Sequence, residues 1–225
     1  MAINSPTFQL STTDKPDTSE YLYHVTNKIN FYSILKGKEK SESGETSLYI
    51  KSNIPDYDKR VYPVSTVCFT ETPYFALDFF NRRSFKRKNH KYAIGFRKEL
   101  LVLERVKPLL YTPIELTGYI NSYYNEYRGN RIHDDNKLQN FIESLYKLTF
   151  PLLEKTDNQG FMWEREWRYI EDEDGFEAPY RWIKVICCPN SELEGIKKKI
   201  NLEHIKYYDM EVEYDKVIEL LNNSN

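Results

Sequence analysis

The sequence predicts an α+β fold with a mixed, mostly antiparallel sheet. Three observations carry that reading. Short β-prone runs at 21–26, 64–70, 92–96, 161–170, 182–188 and 205–212 are spread over the whole chain, as expected when a sheet is assembled from distant segments. They do not alternate regularly with helices, which disfavours a doubly wound parallel sheet. The strongest helical pattern, Leu138, Phe141, Ile142, Leu145, Leu148 and Leu152 at spacings of three and four, falls between two strand runs and reads as an insertion. The 225 residues suit one domain, and we expect a mobile arm over 1–19 and a single domain over 20–225, with the helical insertion around 112–157.

The elements follow in order. Tyr21 to Thr26 is β-prone; Asn27 or Asn30 can cap a helix carrying Phe31, Ile34 and Leu35, and Gly37 suits its stop. Leu48-Tyr49-Ile50 is a possible short strand. Val64 to Thr70 is a strand that runs into Thr70-Glu71-Thr72-Pro73, where Pro73 fits a first helical position. Tyr92 to Phe96 is a strand, and apolar pieces follow at 100–103 and 108–111. Residues 112–136 show only weak periodicity, and 137–155 is the clearest helix. After the break at Gln159-Gly160 comes 161–170, then an acidic turn over 171–177 and a strand over 182–188. Ser191 and Glu194 form a capping box for a helix over 192–200. A last strand at 205–212 and a closing helix at 217–221 complete the chain.

Charge and composition bound the function. A net charge of −2 arises from 32 basic and 34 acidic residues, so no global field selects nucleic acid or membrane. The three cysteines include no CxxC pair, which disfavours a disulfide framework or a zinc site and suits a reducing cytoplasm. The first residues lack a long apolar stretch, so neither a signal peptide nor an anchor is expected. Phosphate-loop, dinucleotide-fold, zincin and nucleophile-elbow motifs do not occur.

Four groups of residues could carry chemistry. Read as a strand, 161–170 places Glu164, Glu166, Arg168 and Ile170 on one face and Trp163, Arg165, Trp167 and Tyr169 on the other. The rings would anchor the strand in a core and the acids would face a cleft, where carboxylates can stabilise a cationic sugar centre; the plain alternative is a solvated face of surface ion pairs. His24 and Thr26 end the first strand, where an imidazole can hold a ribose hydroxyl or act as a base, or serve structure alone. Thr70, Glu71 and Thr72 crowd a strand-to-helix turn that favours anions, or simply cap it. Arg82, Arg83, Lys86, Arg87 and Lys88, within the basic run 82–91 around Phe85, could hold nucleic acid by phosphate contact and stacking, or form a solvated loop.

Tyr23-His24-Val25-Thr26, Phe31 to Gly37, Val67 to Pro73, Tyr92 to Phe96, Pro108 to Tyr111 and Glu164 to Arg168 together resemble the AbiGi family of bacterial abortive-infection proteins. That resemblance covers about 21–190 and implies phage resistance and an antitoxin role with a partner toxin. The order of parts also resembles, more distantly, the DarT-type ADP-ribosyltransferases. That likeness implies an ADP-ribosyltransferase-like fold with NAD as substrate. His24 and Thr26 would hold the NAD ribose and amide, Thr70 and Tyr74 would line the nicotinamide site, and Glu166 would drive transfer. The run 82–91 would guide a nucleic-acid or protein acceptor. Arg168 stands at a different spacing from the arginine those enzymes use. The rival expectation is a binding module that neutralises a toxin through 119–128 and the helix at 137–155.

Overall fold

A computed structural model describes residues 19–37, 47–52, 65–78, 89–129, 136–151, 165–170 and 174–211. Strand β1 (Tyr21–Thr26) leads into helix α1 (Lys28–Lys36). Asn27 is the cap: its side-chain oxygen accepts from the Asn30 amide at 2.9 Å. Gly37 ends the helix at φ 71°, and a Cβ there would stand 2.1 Å from the Ser47 carbonyl oxygen, so only glycine fits. Strands β2 (Ser47–Lys51) and β3 (Val67–Thr70) follow, then a single 3-10 turn (Tyr74–Ala76) placed by Pro73. Next come β4 (Tyr92–Arg97), α2 (Lys98–Leu103), and the short strands β5 (Lys107–Pro108) and β6 (Leu110–Thr112). Helices α3 (Ile114–Gly129) and α4 (Asn136–Leu148) precede β7 (Thr149–Pro151). The rest is β8 (Glu166–Tyr169), β9 (Gly175–Pro179), β10 (Ile183–Cys188), α5 (Asn190–Ile200) and β11 (Lys206–Asp209).

The main sheet has seven strands in the order β11-β10-β4-β1-β3-β8-β5. Every pair in it is antiparallel except β10 with β11. The fold is therefore α+β with a mixed, mostly antiparallel sheet, as the scattered strand runs predict. One sheet face is covered by α1, α5 and the β2–β9 pair. Its core holds Leu22, Phe31, Ile34, Leu48, Ile50, Phe69, Ile94, Phe96, Phe176, Ile186 and Ile196. The opposite face carries a smaller cluster of Tyr23, Leu77, Ala93, Val185, Cys187 and Met210. Among the described residues, neither cluster takes one from α3 or α4.

Four boundaries differ from the sequence reading. The acidic turn expected over 171–177 includes the start of β9, whose Phe176 and Ala178 point inward while Glu177 points out. Weakly periodic 114–129 is a full helix. The strongest helix ends at Leu148 rather than 155, because Thr149–Pro151 pairs in parallel with β6. Helix α5 starts two residues early, after Pro189, and leaves Ser191 inside the helix rather than at its cap. The expected arm over 1–19 except Ser19, which is buried and accepts from the Tyr21 amide at 3.0 Å, the end of the expected strand at 212 and the closing helix at 217–221 lie outside the described residues.

Candidate functional site

Register decides which predicted residues meet. Tyr23 pairs with Thr70, and Thr70 with Glu166. Directly opposed residues share a sheet face and sequence neighbours face opposite ways. Thr70 and Glu166 are thus side by side on the face of the smaller cluster, with Cys68 opposite Arg168 beside them. His24 and Thr26 alternate with Tyr23 and turn toward the other, helix-covered face. The His24 ring sits edge-on to core Phe69, with centroids 6.0 Å apart. Its Nδ1 donates to the Cys68 carbonyl at 2.9 Å. Burial lowers its pKa to about 4, so near neutral pH it is an uncharged strand-bridging donor.

Tyr74 is farther still. It stacks on Tyr208 of β11 at 4.1 Å between centroids. Five strand spacings separate β11 from β8, of the order of 20 Å across the sheet. The expected meeting of His24, Thr26, Thr70, Tyr74 and Glu166 in one NAD pocket therefore does not occur: the sheet separates the first two from Glu166, and its width separates Tyr74. Glu164, and Arg82, Arg83, Lys86, Arg87 and Lys88 of the basic run, lie outside the described residues.

The acid of β8 also differs from the open cleft the sequence suggests. Glu166 is 8% exposed and Arg168 is 4% exposed, while Trp167 and Tyr169 are only partly buried. The reason is pairing. Arg168 Nε donates to Glu166 Oε1 at 2.8 Å, and its Nη1 donates to the Lys147 carbonyl at 2.9 Å. Lys147 lies in the last turn of α4, where unsatisfied carbonyls and the helix dipole favour a cation. The guanidinium also lies over Phe150, 5.8 Å from its centroid. Arg168 thereby fastens the helical hairpin to the sheet. Thr70 Oγ1 donates to Thr72 Oγ1 at 2.9 Å and accepts from the Thr72 amide. Burial pushes the Cys68 thiol up to about 12, with Glu166 adding to the effect, so this cysteine is no nucleophile at neutral pH.

On the other side of β8, Glu71 accepts from Trp167 Nε1 at 3.1 Å and pairs with Lys98. The turn acid thus links the end of β3 to β8 and to the start of α2. Among the described residues no cluster of His, Cys, Asp or Glu is placed to hold a metal, and no helix is long and apolar enough to cross a membrane.

The hairpin presents a different kind of surface. Tyr124 and Tyr146 stack at 3.9 Å and fix α3 against α4. On α3, Leu116, Tyr119 and Tyr123 are exposed, Tyr119 by 66% and Tyr123 by 64%; on α4, Leu138 and Phe141 are exposed, Phe141 by 60%. Leu116, Tyr119 and Tyr123 follow helical spacing, as do Leu138, Phe141, Leu145 and Leu148, so each helix has one apolar stripe. In two antiparallel helices joined at Tyr124 and Tyr146, both stripes fall on the same side. The sequence reveals the α4 stripe but not that its first turns stay open; periodicity marks an apolar face without saying what it touches.

Residues 56–213 match the family described as "Putative abortive phage resistance protein AbiGi, antitoxin". The chain belongs to the AbiGi family. The match spans both the paired acid of β8 and the whole α3–α4 hairpin, so both features lie in the part of the chain that defines AbiGi. No curated protein and no solved structure matched this AbiGi chain.

Proposed function

We propose that this AbiGi protein is an antitoxin in phage defence that neutralises a partner toxin by stoichiometric protein binding. The apolar side of the α3–α4 hairpin is the contact surface. The observation that carries the reading is the pair of aligned stripes with Tyr119, Tyr123 and Phe141 exposed at their centre. Large aromatics of this kind dominate the energetics of protein interfaces. The matching partner chemistry is an amphipathic helix on the toxin, laid into the groove between α3 and α4 with its own apolar residues at spacings of three and four.

The test is co-expression with the product of the neighbouring gene, followed by affinity capture and a toxicity assay. Phe141→Asp and Tyr123→Asp each weaken capture by at least tenfold and restore toxicity, since a buried aromatic anchor contributes about 2 kcal/mol or more. Both are exposed, so stability changes by no more than about 0.5 kcal/mol. Capture unchanged by both substitutions would remove the hairpin from the role.

A second reading keeps one observation in its favour: Thr70 stands directly opposite Glu166 on a single sheet face. That is the seed of an ADP-ribosyltransferase-like site taking NAD, with Glu166 stabilising developing charge and the basic run 82–91 guiding a nucleic-acid acceptor. It predicts release of nicotinamide from NAD by the purified chain, abolished in Glu166→Gln while the fold persists by circular dichroism. Absence of turnover in the wild-type chain leaves the antitoxin reading alone.

A further inference from the structure

A cavity of about 750 Å³ lies between the C-terminal halves of α1 and α5, lined by Tyr32, Leu35, Lys36, Tyr180, Lys199 and Ile200, with Ser33 and Leu202 completing it. It belongs to the helix-covered face, across the sheet from Thr70 and Glu166, and it is separate from the α3–α4 hairpin. Its origin is visible in the helix pairing. The N-terminal ends of α1 and α5 are drawn together by Glu192, which accepts from Lys28 at 2.8 Å and from Tyr32 at 3.4 Å. Tyr92 of β4 donates to the same carboxylate at 2.6 Å. Tyr32, Leu35, Tyr180, Ile200 and Leu202 are all partly buried side chains packed on the main core, so the cavity floor is the outer layer of that core. Its size and mostly apolar lining, with a few polar groups, are those of a small-molecule site.

We infer that this cavity binds a ring-bearing phosphomonoester, of which a nucleoside monophosphate is the simplest example. The two tyrosines and the aliphatic floor suit a flat ring. Lys36, Lys199 and the Ser33 hydroxyl bring three donors for phosphate oxygens, and Lys199 is held at the wall with Nζ 4.7 Å from the Tyr32 ring centroid. Charge favours an anion despite the two helix C-termini nearby. Each terminus is worth roughly half a negative charge. Against them stand Lys36 in the last turn of α1 and Lys199 in the last turn of α5, and no acid is among the described residues that line the cavity. Phosphate offers more acceptor oxygens than a carboxylate, and lysines serve it as point charges.

The experiment is titration of the full-length chain with AMP, adenosine and inorganic phosphate, followed by NMR and by thermal shift. AMP binds saturably, and adenosine and phosphate bind at least tenfold more weakly. Lys199→Gln weakens AMP by at least tenfold and leaves the melting temperature of the unliganded chain unchanged. Leu35→Trp, which fills the cavity, blocks AMP; because it replaces a packed residue, its fold is checked first and Lys199→Gln alone decides if it does not fold. Three results overturn the inference: no saturable AMP binding, AMP binding indifferent to Lys199→Gln, or phosphate binding as tightly as AMP. None of these depends on whether the chain captures a toxin.

Discussion

Arg168 carries structure at a place where the sequence reads chemistry. Beside an acid on a strand it reads as a catalytic neighbour, yet its Nε holds Glu166 at 2.8 Å and its Nη1 holds the end of α4. Removing one member of a buried ion pair leaves an uncompensated charge, which costs about 3–5 kcal/mol. Urea denaturation of Arg168→Met therefore shows a loss of that size. The double variant Glu166→Gln with Arg168→Met loses clearly less than the sum of the single losses, because no charge is then left buried alone. Strict additivity would mean that the two side chains act separately. His24 makes the second residue-scale prediction. Its folded pKa is lowered to about 4 from an ordinary 6.5, so the unfolded chain takes up the proton first. The stability it contributes is complete above about pH 6.5 and is lost as pH falls toward about 4. Melting temperatures measured from pH 7 to pH 4 fall more steeply for the wild type than for His24→Gln, which can still donate to the Cys68 carbonyl. Equal slopes would show that another group governs acid sensitivity.

At the scale of elements, the first unit was legible because its signals are local. Asn27 caps α1 through its own side chain, so Asn27→Ala lowers stability by about 1 kcal/mol, measured by denaturant midpoint at constant slope. A neutral result would mean that tertiary contacts alone hold the helix start. The alternation in β8 was legible for the same reason: a period of two puts Glu166 and Arg168 on one face whatever the neighbours. The side of the sheet taken by His24 was not legible. It depends on Tyr23, rather than His24, opposing Thr70, and that register is set by residues some fifty positions apart. Strand β9 was hidden because a charged, proline-ended run makes a strand only when β2 supplies its partner. The α4 stripe was visible as a pattern, yet a core face and a docking face share the same spacing. Only the second helix and the main core's position tell them apart.

The whole molecule divides its labour between a sheet that is fully committed to its own core and a hairpin that is not. Strands β4, β1 and β3 form the centre of the sheet, and β10 and β8 flank them. Among the described residues, both hydrophobic clusters are built without α3 and α4. The parallel pairing of Leu110 with Thr149 and of Thr112 with Pro151 brings the two ends of the hairpin side by side. Replacing residues 114–148 by six Gly/Ser residues, which span well over 10 Å, closes that gap without stretching β6 or β7. The shortened chain then unfolds in one cooperative transition. Its denaturant slope is lower in proportion to the surface removed. Its stability falls by about 1–3 kcal/mol, because Arg168 loses the Lys147 carbonyl in a buried setting. Capture of the toxin is lost completely, whereas AMP binding at the α1–α5 cavity is retained. A shortened chain without a cooperative transition would show instead that the hairpin belongs to the folding unit, and the separation of scaffold from contact surface would fail with it.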